Sequence, residues 1–386
     1  MFLDKTIKRN EKLVKAAFEL HQKGLIYPDT YILDLDTLLD NARKIKKEAD
    51  KYGIELYYMT KQIGRNPIAA KEIEAIGYKG AVVVDFKEAM TLKENNIKLG
   101  HVGHLVQIPK ALIKEILSSK PDIITVYSFE KAKEISQQAE KLGMVQDIML
   151  RVLGDNDSLY PGQYGGFYLK DLEKEVKALL TLPNINITGI TSFPCFLYDE
   201  EAEKILPTEN IKTLHKAKEI IEEKFHIRLT QINTPSATST VNMKEIAAQG
   251  GTHGEPGHAL TGTTPYHAYK DGEEIPCLVY VSEVSHNLKG DSYCYGGGHY
   301  RRSHMENALV GKSFMNSKKV KAEAPSLESI DYHFTLKDNT EVGDTVVMAF
   351  RTQIFVTRSS VAVVKGIESG TPEILGIFDS QGTKIK

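Results

Sequence analysis

The chain has 386 residues, of which 41% are hydrophobic and 26% charged, and its formal net charge is −2. This length exceeds that of one typical domain, so two domains are expected. The near-neutral charge provides no general attraction to nucleic acids or anionic membranes, so neither is predicted as a partner. No apolar run is long enough for a transmembrane helix, and the charged residues 1–10 do not resemble a signal peptide.

The three cysteines, Cys195, Cys277 and Cys294, are far apart in the sequence. Their spacing forms neither a disulfide framework nor a C-x-x-C motif. A metal site made of Cys294, His299 and His304 matches no zinc pattern, so no metal is expected. These features predict a reduced, cytoplasmic protein.

The first part of the chain predicts alternating helices and strands. Apolar spacing predicts a helix over residues 5–24. This helix lies in an N-terminal segment, residues 1–29, that we expect to pack near the C-terminal domain. A strand follows over residues 30–36. Eight further strands, separated by helical patterns, are predicted at 55–60, 80–84, 103–106, 123–127, 147–152, 186–192, 229–234 and 251–255.

Alternation of this kind predicts parallel strands joined by helices. Eight strands within about 200 residues favour an α/β fold with a closed (β/α)8 TIM-type barrel over residues 30–270. An open doubly wound sheet is the alternative. After residue 270 helical periodicity disappears, and an all-β C-terminal domain is predicted over residues 271–386. Its β-rich runs are at 277–284, 345–350, 353–357 and 361–364.

The first of the eight strands ends on a lysine. Lys61 follows an apolar strand and precedes a glycine-bearing turn and a helix that begins near Pro67. The carboxyl ends of barrel strands form the active site, where a lysine can form a Schiff base with an aldehyde cofactor. Most lysines at strand ends are solvated charges, so the prediction needs a phosphate site and a second proton-transfer group nearby.

Loops after strands seven and eight provide candidate phosphate-binding groups. Ser236 and Thr238 offer hydroxyls near a helix N-terminus, and the glycine-rich residues 250–257 offer backbone N–H groups. Ordinary capped loops have the same composition. Glu255 in the second loop can pair with a protonated pyridine nitrogen, which would keep a cofactor ring an effective electron sink. The alternative is an exposed glutamate at a strand end.

The C-terminal domain contributes Cys294, Tyr295, three glycines and His299 in succession. Tyrosine, cysteine and histidine are all proton-transfer groups. An aromatic hairpin at an interface would have a similar composition.

Together these segments resemble the alanine racemase family of fold-type III pyridoxal-phosphate enzymes, and within it the YhfX-like branch. The resemblance covers nearly the full length and depends on the order of five short motifs. These are residues 31–41, Met59-Thr-Lys-Gln-Ile-Gly-Arg65, Glu255-Pro-Gly257, Tyr295-Gly-Gly-Gly-His-Tyr300 and Val310-Gly-Lys-Ser-Phe-Met-Asn316. The resemblance implies pyridoxal 5'-phosphate as cofactor, a small amino-acid substrate and a homodimer with shared active sites.

The resemblance also implies roles for individual residues. Lys61 would be the Schiff-base lysine, and Tyr295, contributed by the partner subunit, would be the second catalytic base. The cofactor-binding candidates are Lys61, Arg65, Ser236, Thr238, Glu255, Gly257 and His258. The candidate substrate contacts are Cys294, His299, Met315 and Asn316.

The chain differs from alanine racemases in four respects. Arg65 corresponds roughly to the tyrosine that reaches the phosphate after their lysine, and it is a candidate ligand for a phosphate or a substrate carboxylate. Glu255 stands where they have an arginine opposite the pyridine nitrogen, and in this it is similar to the fold-type III amino-acid decarboxylases. Ser192 stands where they have the histidine that supports that arginine. The arginine of their fifth-strand loop is not evident in residues 153–167, which leaves open how a substrate carboxylate is held.

The sequence therefore predicts a pyridoxal-phosphate-dependent amino-acid racemase with a two-base mechanism. Lys61 would remove the α-proton on one face, and Tyr295 would return it on the other. One alternative is an amino-acid decarboxylase of the same fold, with Cys294 as the proton donor. Another is a pyridoxal-phosphate-binding protein without catalytic turnover. The sequence does not indicate which amino acid is used.

Overall fold

The computed structural model describes residues 1–386, which divide into two compact units. The first unit contains Met1–Lys44, Lys61–Glu72 and His258–Lys386. The second contains Ile45–Thr60 and Ile73–Gly257. None of the helices combines the length and hydropathy needed to cross a membrane.

The second unit is built on a parallel barrel of eight strands. The first strand is interrupted at Tyr57, and its two halves pair with the last strand and with the second strand, which closes the ring. The strands in order are Glu55–Leu56 with Tyr58–Met59, Ala81–Val83, Leu99–Val102, Ile123–Val126, Gln146–Leu153, Ile185–Thr191, Gln231–Asn233 and His253–Gly254. The predicted fold class, a TIM-type barrel followed by a β-domain, is confirmed.

Helices alternate with these strands along the chain. They are Leu35–Lys51, Pro67–Ala75, Phe86–Glu94, Ile113–Ser118, Phe129–Lys141, Leu172–Leu179, Glu209–Phe225 and Met243–Ala248. Local capping explains several starts; the Ser128 side chain, for example, accepts a hydrogen bond from the Lys131 N–H. A short strand, Phe167–Tyr168, pairs with strand five, and a hairpin of Phe196–Asp199 and Lys204–Pro207 precedes the helix Glu209–Phe225.

The predicted strand at residues 103–106 was wrong, because the third barrel strand is Leu99–Val102. Gly100 and His101 interrupt the apolar pattern by which strands are recognised. Gly100 is required there by close packing, since a Cβ on it would lie 2.5 Å from the Tyr57 ring. A glycine inside a strand thus marks a close approach rather than a strand end.

The first unit contains a mixed sheet of nine strands. In order across the sheet they are Asp291–Tyr295, His333–Leu336, Lys318–Glu323, Asn307–Gly311, Thr345–Met348, Leu278–Leu288, Thr30–Asp34, Ser360–Lys365 and Glu373–Phe378. A short helix, Pro265–Tyr269, precedes the strands of the C-terminal part.

The strand Thr30–Asp34 corrects the predicted start of the barrel domain at residue 30. It pairs antiparallel with Leu278–Leu288 and parallel with Ser360–Lys365, so it belongs to the sheet of the C-terminal strands. All five of its residues are buried. An apolar run identifies a strand covered on both faces, but it carries no information about which sheet contains it.

The N-terminal segment forms two helices, Phe2–Arg9 and Glu11–Gln22, instead of the single predicted helix. Asn10 separates them with φ −146°, and its side chain accepts a hydrogen bond from the Leu13 N–H, which caps the second helix. Leu13 and Phe18 pack in one hydrophobic core with Val281 of the sheet.

A second predicted strand was also wrong. Residues 353–357 contain the 3-10 turn Ile354–Val356 rather than a strand. The run at 277–284 is longer than predicted and ends at Leu288. Apolar composition alone does not separate a buried turn from a buried strand.

Asp29 packs against the glycine segment that follows Tyr295. Its Oδ1 lies 3.0 Å from the Tyr280 Oη, which is also 3.3 Å from the Tyr295 carbonyl oxygen, and the Ser359 hydroxyl donates to the same Oδ1. A Cβ on Gly297, which has φ +134°, would lie 2.0 Å from Asp29 Oδ2. Only glycine fits there, so the carboxyl group and the glycine segment depend on each other.

Burial raises the pKa of Asp29 to about 6, although hydrogen bonds from Ser359 and Tyr280 oppose this shift. The folded pKa thus exceeds the usual value of 3.8. The stabilising contribution of this group is therefore complete below pH 3.8 and is lost as the pH rises through about 6.

Asp29→Asn cannot ionise at this position. We therefore expect its free energy of unfolding, relative to that of the wild type, to be higher at about pH 7.5 than at about pH 5, by about 1–2 kcal/mol. Urea unfolding at both pH values measures this. Asp155→Asn, at an exposed loop position, is the control for the substitution itself. A difference between Asp29→Asn and wild type that is the same at both pH values would contradict the expectation.

Candidate active site

A cluster of buried polar side chains lies in the barrel of the second unit. Glu255 directly follows strand eight, His101 lies on strand three and Asn233 ends strand seven. The side chains of His101 and Glu255 are completely buried, as is Asn233. The barrel thus brings together residues that are up to 154 positions apart in the chain.

One carboxylate oxygen of Glu255 receives two hydrogen bonds. Its Oε1 lies 2.5 Å from His101 Nδ1 and 2.5 Å from Asn233 Nδ2. The other ring nitrogen of His101, Nε2, lies 2.5 Å from the Thr125 hydroxyl. Because a carboxylate oxygen accepts, the proton of the first contact lies on His101 Nδ1.

These contacts keep Glu255 ionised. Burial would raise the pKa of Glu255, but the charges of His104 and His101, with hydrogen bonds from His101 and Asn233, outweigh it and lower the pKa to about 2. The second oxygen, Oε2, has no hydrogen-bond partner, and His104 Nε2 is 3.7 Å away. Glu255 therefore retains an acceptor for a positively charged donor such as a protonated ring nitrogen.

His101, His104 and Glu255 are also residue types that bind metal ions. The ligand atoms of His101, His104 and Glu255 all lie within 4.8 Å of one another, and two histidines with one carboxylate occur as zinc ligands. However, His101 Nδ1 carries the proton shared with Glu255, and its Nε2 contacts Thr125. Both ring nitrogens of His101 are therefore engaged in hydrogen bonds.

The loop after strand seven supports Glu255 through its backbone. The Glu255 N–H donates to Thr238 Oγ1 at 3.2 Å. The Ser236 hydroxyl donates to the Phe196 carbonyl oxygen. Of the predicted cofactor-binding residues in the second unit, Thr238 and Glu255 are in contact with each other. Gly257 is the last residue of this unit and is buried.

Lys61 and His258 lie in the first unit. Lys61 begins the 3-10 turn Lys61–Ile63, two residues after the first barrel strand ends at Met59. Gln62 Nε2 lies 3.4 Å from His258 Nδ1, and His258 Nε2 lies 3.0 Å from the Thr352 carbonyl oxygen. The Arg351 Nε–H also donates to His258 Nε2 at 3.2 Å.

Burial and the positive charges of Arg351 and Lys61 lower the pKa of His258 well below its usual value. His258 is therefore neutral at physiological pH. A neutral imidazole beside the Lys61 ammonium adds no further positive charge to this part of the first unit.

Arg65 is fully buried in the first unit and has φ +54°. Its Nη1 donates to Gln381 Oε1 at 2.6 Å, and its guanidinium lies 5.2 Å from the centroid of the Phe355 ring. These contacts fix its position, and its predicted role toward a phosphate or carboxylate remains a prediction.

The residues predicted from the C-terminal domain differ in accessibility. Tyr295 is 40% exposed, and its ring centroid is 5.9 Å from that of His333 on the adjacent strand. Cys294 is fully buried, and burial raises the pKa of its thiol to about 12. Exposure therefore favours Tyr295 over Cys294 as a proton-transfer group.

The remaining substrate candidates lie on the surface or near it. Half-burial lowers the pKa of His299, which lines an open pocket of the first unit with Arg301 and Arg358. Met315 is 81% exposed, and Asn316 is exposed beside it. Their roles toward a substrate remain predictions.

Sequence reasoning missed His101, Asn233 and the buried Arg151 of strand five. Each is a polar residue inside an otherwise apolar strand, and this is the signal that could have identified them. Asn233 directly precedes the loop that contains Ser236 and Thr238. Arg151 lies two residues before the loop 153–167, which contains no arginine.

Two family models match the chain. Residues 33–265 match the alanine racemase N-terminal domain, and residues 279–374 match the YhfX-like C-terminal domain. The chain is 45% identical to protein YhfX of Escherichia coli K12 over 387 aligned residues, which cover the whole of both chains. It is 23% identical to the ornithine racemase of Acetoanaerobium sticklandii over 55% of this chain and 57% of that one.

Solved structures share the fold at low sequence identity. An alanine racemase from Bacillus anthracis superposes with a TM-score of 0.65 at 16% identity, covering 92% of this chain and 98% of that one. A D-threonine aldolase from Filomicrobium marinum gives 0.69 at 13% identity, covering 92% and 94%. A diaminopimelate decarboxylase from M. jannaschii gives 0.63 at 15% identity, covering 96% and 92%.

Members of this fold-type III family bind pyridoxal phosphate, and the residues present fit that cofactor. Within the barrel unit, the buried Glu255 has an Oε2 without a hydrogen-bond partner, and such an acceptor suits the protonated ring nitrogen of that cofactor. The family matches and the full-length relative agree with these observations. The chain belongs to the alanine racemase family of fold-type III pyridoxal-phosphate enzymes, in its YhfX-like branch.

Proposed function

We propose that the protein is a pyridoxal-phosphate-dependent amino-acid racemase that uses two acid–base groups, Lys61 and Tyr295. The observation that carries the cofactor chemistry of this proposal is the buried Glu255, whose Oε2 has no hydrogen-bond partner. When bound, pyridoxal phosphate supplies an electron sink that acidifies the α-proton of an attached amino acid. A carboxylate that keeps the ring nitrogen protonated strengthens that sink.

Lys61 would hold the cofactor through its ε-amine and, once released, move the α-proton on one face. Its position directly after a barrel strand supports this role, because active-site groups of barrels lie at the carboxyl ends of the strands. Inverting a stereocentre requires a second group on the opposite face.

Tyr295 is the proposed second group. Its 40% exposure leaves the phenol accessible, and the backbone around it is fixed, since Ser282 Oγ donates to its carbonyl oxygen at 2.7 Å. We propose that it serves the barrel of a partner subunit, so that a homodimer shares its active sites. The relative named as an ornithine racemase supports racemisation as the reaction class.

Amino-acid decarboxylation is the second candidate. The segment Glu255-Pro-Gly257 and the fold shared with a diaminopimelate decarboxylase favour it. The burial of Cys294 argues against that thiol as its proton donor. Carbon dioxide release from a diamino acid, without racemisation, would select this candidate. A cofactor that is retained but never changes its absorbance with any amino acid would select a non-catalytic binding protein.

We expect the purified protein to show an absorption band near the edge of the visible range. Treatment with borohydride should abolish this band and leave a stable mass increase on the peptide that contains Lys61. Lys61→Ala should lack both the band and the mass increase, because no other amine would take its place. Lys71→Ala, an exposed lysine of the helix Pro67–Ala75, should retain both. Absence of the band from the wild-type protein would overturn the cofactor assignment.

We expect the wild-type enzyme to exchange the Cα hydrogen of both enantiomers for solvent deuterium in an amino-acid panel, measured by NMR. Tyr295→Phe should exchange one enantiomer only, and racemisation should fall by about 10²- to 10⁴-fold because one proton-transfer group is missing. The neighbouring Tyr293→Phe is the matched control and should behave as wild type. Equal exchange of both enantiomers by Tyr295→Phe would exclude the two-base assignment.

We expect Glu255→Gln to retain the borohydride-sensitive attachment at Lys61 but to exchange Cα hydrogen about 10²-fold more slowly, because glutamine supplies no negative charge. NMR exchange rates on the cofactor-loaded variant measure this. Glu245→Gln, on the helix Met243–Ala248, is the control. An unchanged rate in Glu255→Gln would show that its charge has no part in the reaction.

A further inference from the structure

A pocket of about 500 Å³ opens on the first unit beside the segment that follows Tyr295. Its lining comes from three parts of the chain, which are residues 297–301, 324–331 and 356–358. All three lie among the C-terminal strands, outside the barrel that holds the Glu255 cluster. The pocket is therefore a feature of the C-terminal domain alone.

The side chains that line this pocket carry a net positive charge. Arg301 and Arg358 line it, and Asp331 is the only carboxylate among the lining residues. Burial lowers the pKa of His299, so its imidazole adds no charge at neutral pH. The buried carboxyl group of Asp29 does not line the pocket. Two positive groups against one negative group leave one positive charge, which a single carboxylate of a ligand would balance.

Arg358 is held in a fixed position in the pocket. Its Nη2 donates to the Asp331 carbonyl oxygen at 2.8 Å and lies 3.6 Å from Asp331 Oδ1. Its guanidinium lies 5.6 Å from the centroid of the Tyr332 ring. Because a guanidinium has five N–H donors in one plane, these contacts orient the group and leave donors for an anion.

The wall of the pocket suits a short carbon chain. Leu327, Ile330 and Val356 line it and are 81%, 67% and 55% exposed. Covering these side chains with methylene groups of a ligand would remove apolar surface from water. Ser326 and Ser329 add hydroxyl donors to the same pocket. This composition fits a short aliphatic chain that ends in a carboxylate.

The pocket shares its backbone with the proposed second acid–base group. Gly297 lines the pocket and follows Tyr295 by two residues, which span at most about 7 Å. The Arg358 N–H donates to the Gly297 carbonyl oxygen at 3.4 Å, and the Gly296 N–H donates to the Tyr332 carbonyl oxygen at 2.8 Å. A molecule whose reacting carbon lies beside the phenol can therefore extend its other end to the arginines.

We propose that this pocket binds the side-chain carboxylate of an acidic amino acid, which makes acidic amino acids the preferred substrates. The inference deepens the proposed racemase function and rests on it for the position of the α-carbon beside Tyr295. A guanidinium pairs well with a carboxylate. The α-carboxylate suits the pocket less well, because it has no methylene groups to cover the apolar wall.

Glutamate and glutamine have the same length and differ in the charge of the terminal group. The wild-type kcat/KM for Cα hydrogen exchange, measured by NMR, should be at least about tenfold higher for glutamate, since a hydrogen bond to a charged group corresponds to about one to two factors of ten. Arg301→Gln should bring this ratio close to one. Arg301→Glu should favour lysine over glutamate, because the net charge of the pocket is then negative. Arg43→Gln, which removes an exposed arginine of the helix Leu35–Lys51, is the control and should keep the wild-type ratio.

Glutarate and its monoamide test the pocket without turnover. Glutarate is a dicarboxylate without an amine, and the monoamide lacks one of its two charges. At equal concentration and ionic strength, glutarate should raise the melting temperature of the wild-type holoenzyme more than the monoamide does, because it binds the folded protein more tightly. This difference should be lost in Arg301→Gln and kept in Arg43→Gln.

The inference is overturned if glutarate and the monoamide stabilise the wild type equally, or if Arg301→Gln retains the difference. A pocket that is covered by a second copy of the chain would give equal shifts and would overturn it in the same way. An Arg301-dependent glutarate effect without Cα exchange of any amino acid would support the pocket and contradict the proposed racemase. Cα exchange with the same glutamate-to-glutamine ratio in the wild type and Arg301→Gln would contradict the pocket alone.

Discussion

The ionised carboxylate of Glu255 inside the barrel is the constraint on which the rest of the candidate site depends. A buried charge is tolerated only when it is paired and hydrogen-bonded. Here His101 and Asn233 share one oxygen, and Thr238 receives the backbone N–H. These partners come from strand three, strand seven and the loop after strand seven, so the charge is stable only once the barrel has closed. The same arrangement leaves Oε2 as an acceptor, and this couples the fold to the proposed electronic effect on the cofactor.

Much of this arrangement was predictable where the signal is local. The eight-strand count and the positions of Lys61 and Glu255 follow from apolar runs that end in polar or glycine-rich loops. The predictions failed where the information is not local. The strand Thr30–Asp34 has the pattern of any buried strand, and only pairing with Leu278–Leu288 and Ser360–Lys365 assigns it to its sheet. His101 gains its meaning from a residue 154 positions away, which no window of sequence can show.

The nine-stranded sheet fixes the backbone of Tyr295, which is the second proposed acid–base group. Tyr295 precedes a glycine segment that packs closely against Asp29, and Tyr280 contacts both that carboxyl group and the Tyr295 carbonyl oxygen. Because the backbone is fixed by buried groups while the phenol remains exposed, the side chain can act at a site outside its own sheet. A flexible loop would supply such a group with less accurate geometry. The sequence shows the glycine triplet only as a motif. The close packing of Gly297 against Asp29 explains why a glycine is needed at that position.

The most direct test of the central claim is the ionisation state of Glu255 itself. Carbon-13 NMR of protein labelled at the glutamate carboxyl carbon, with the resonance assigned by its loss in Glu255→Gln, measures that state as the pH is lowered. Since the pKa of Glu255 is lowered to about 2, its resonance should stay at the position of an ionised carboxylate down to about pH 4, while exposed glutamates titrate near their usual values. A Glu255 resonance that moves to the protonated position above pH 4 would contradict the account.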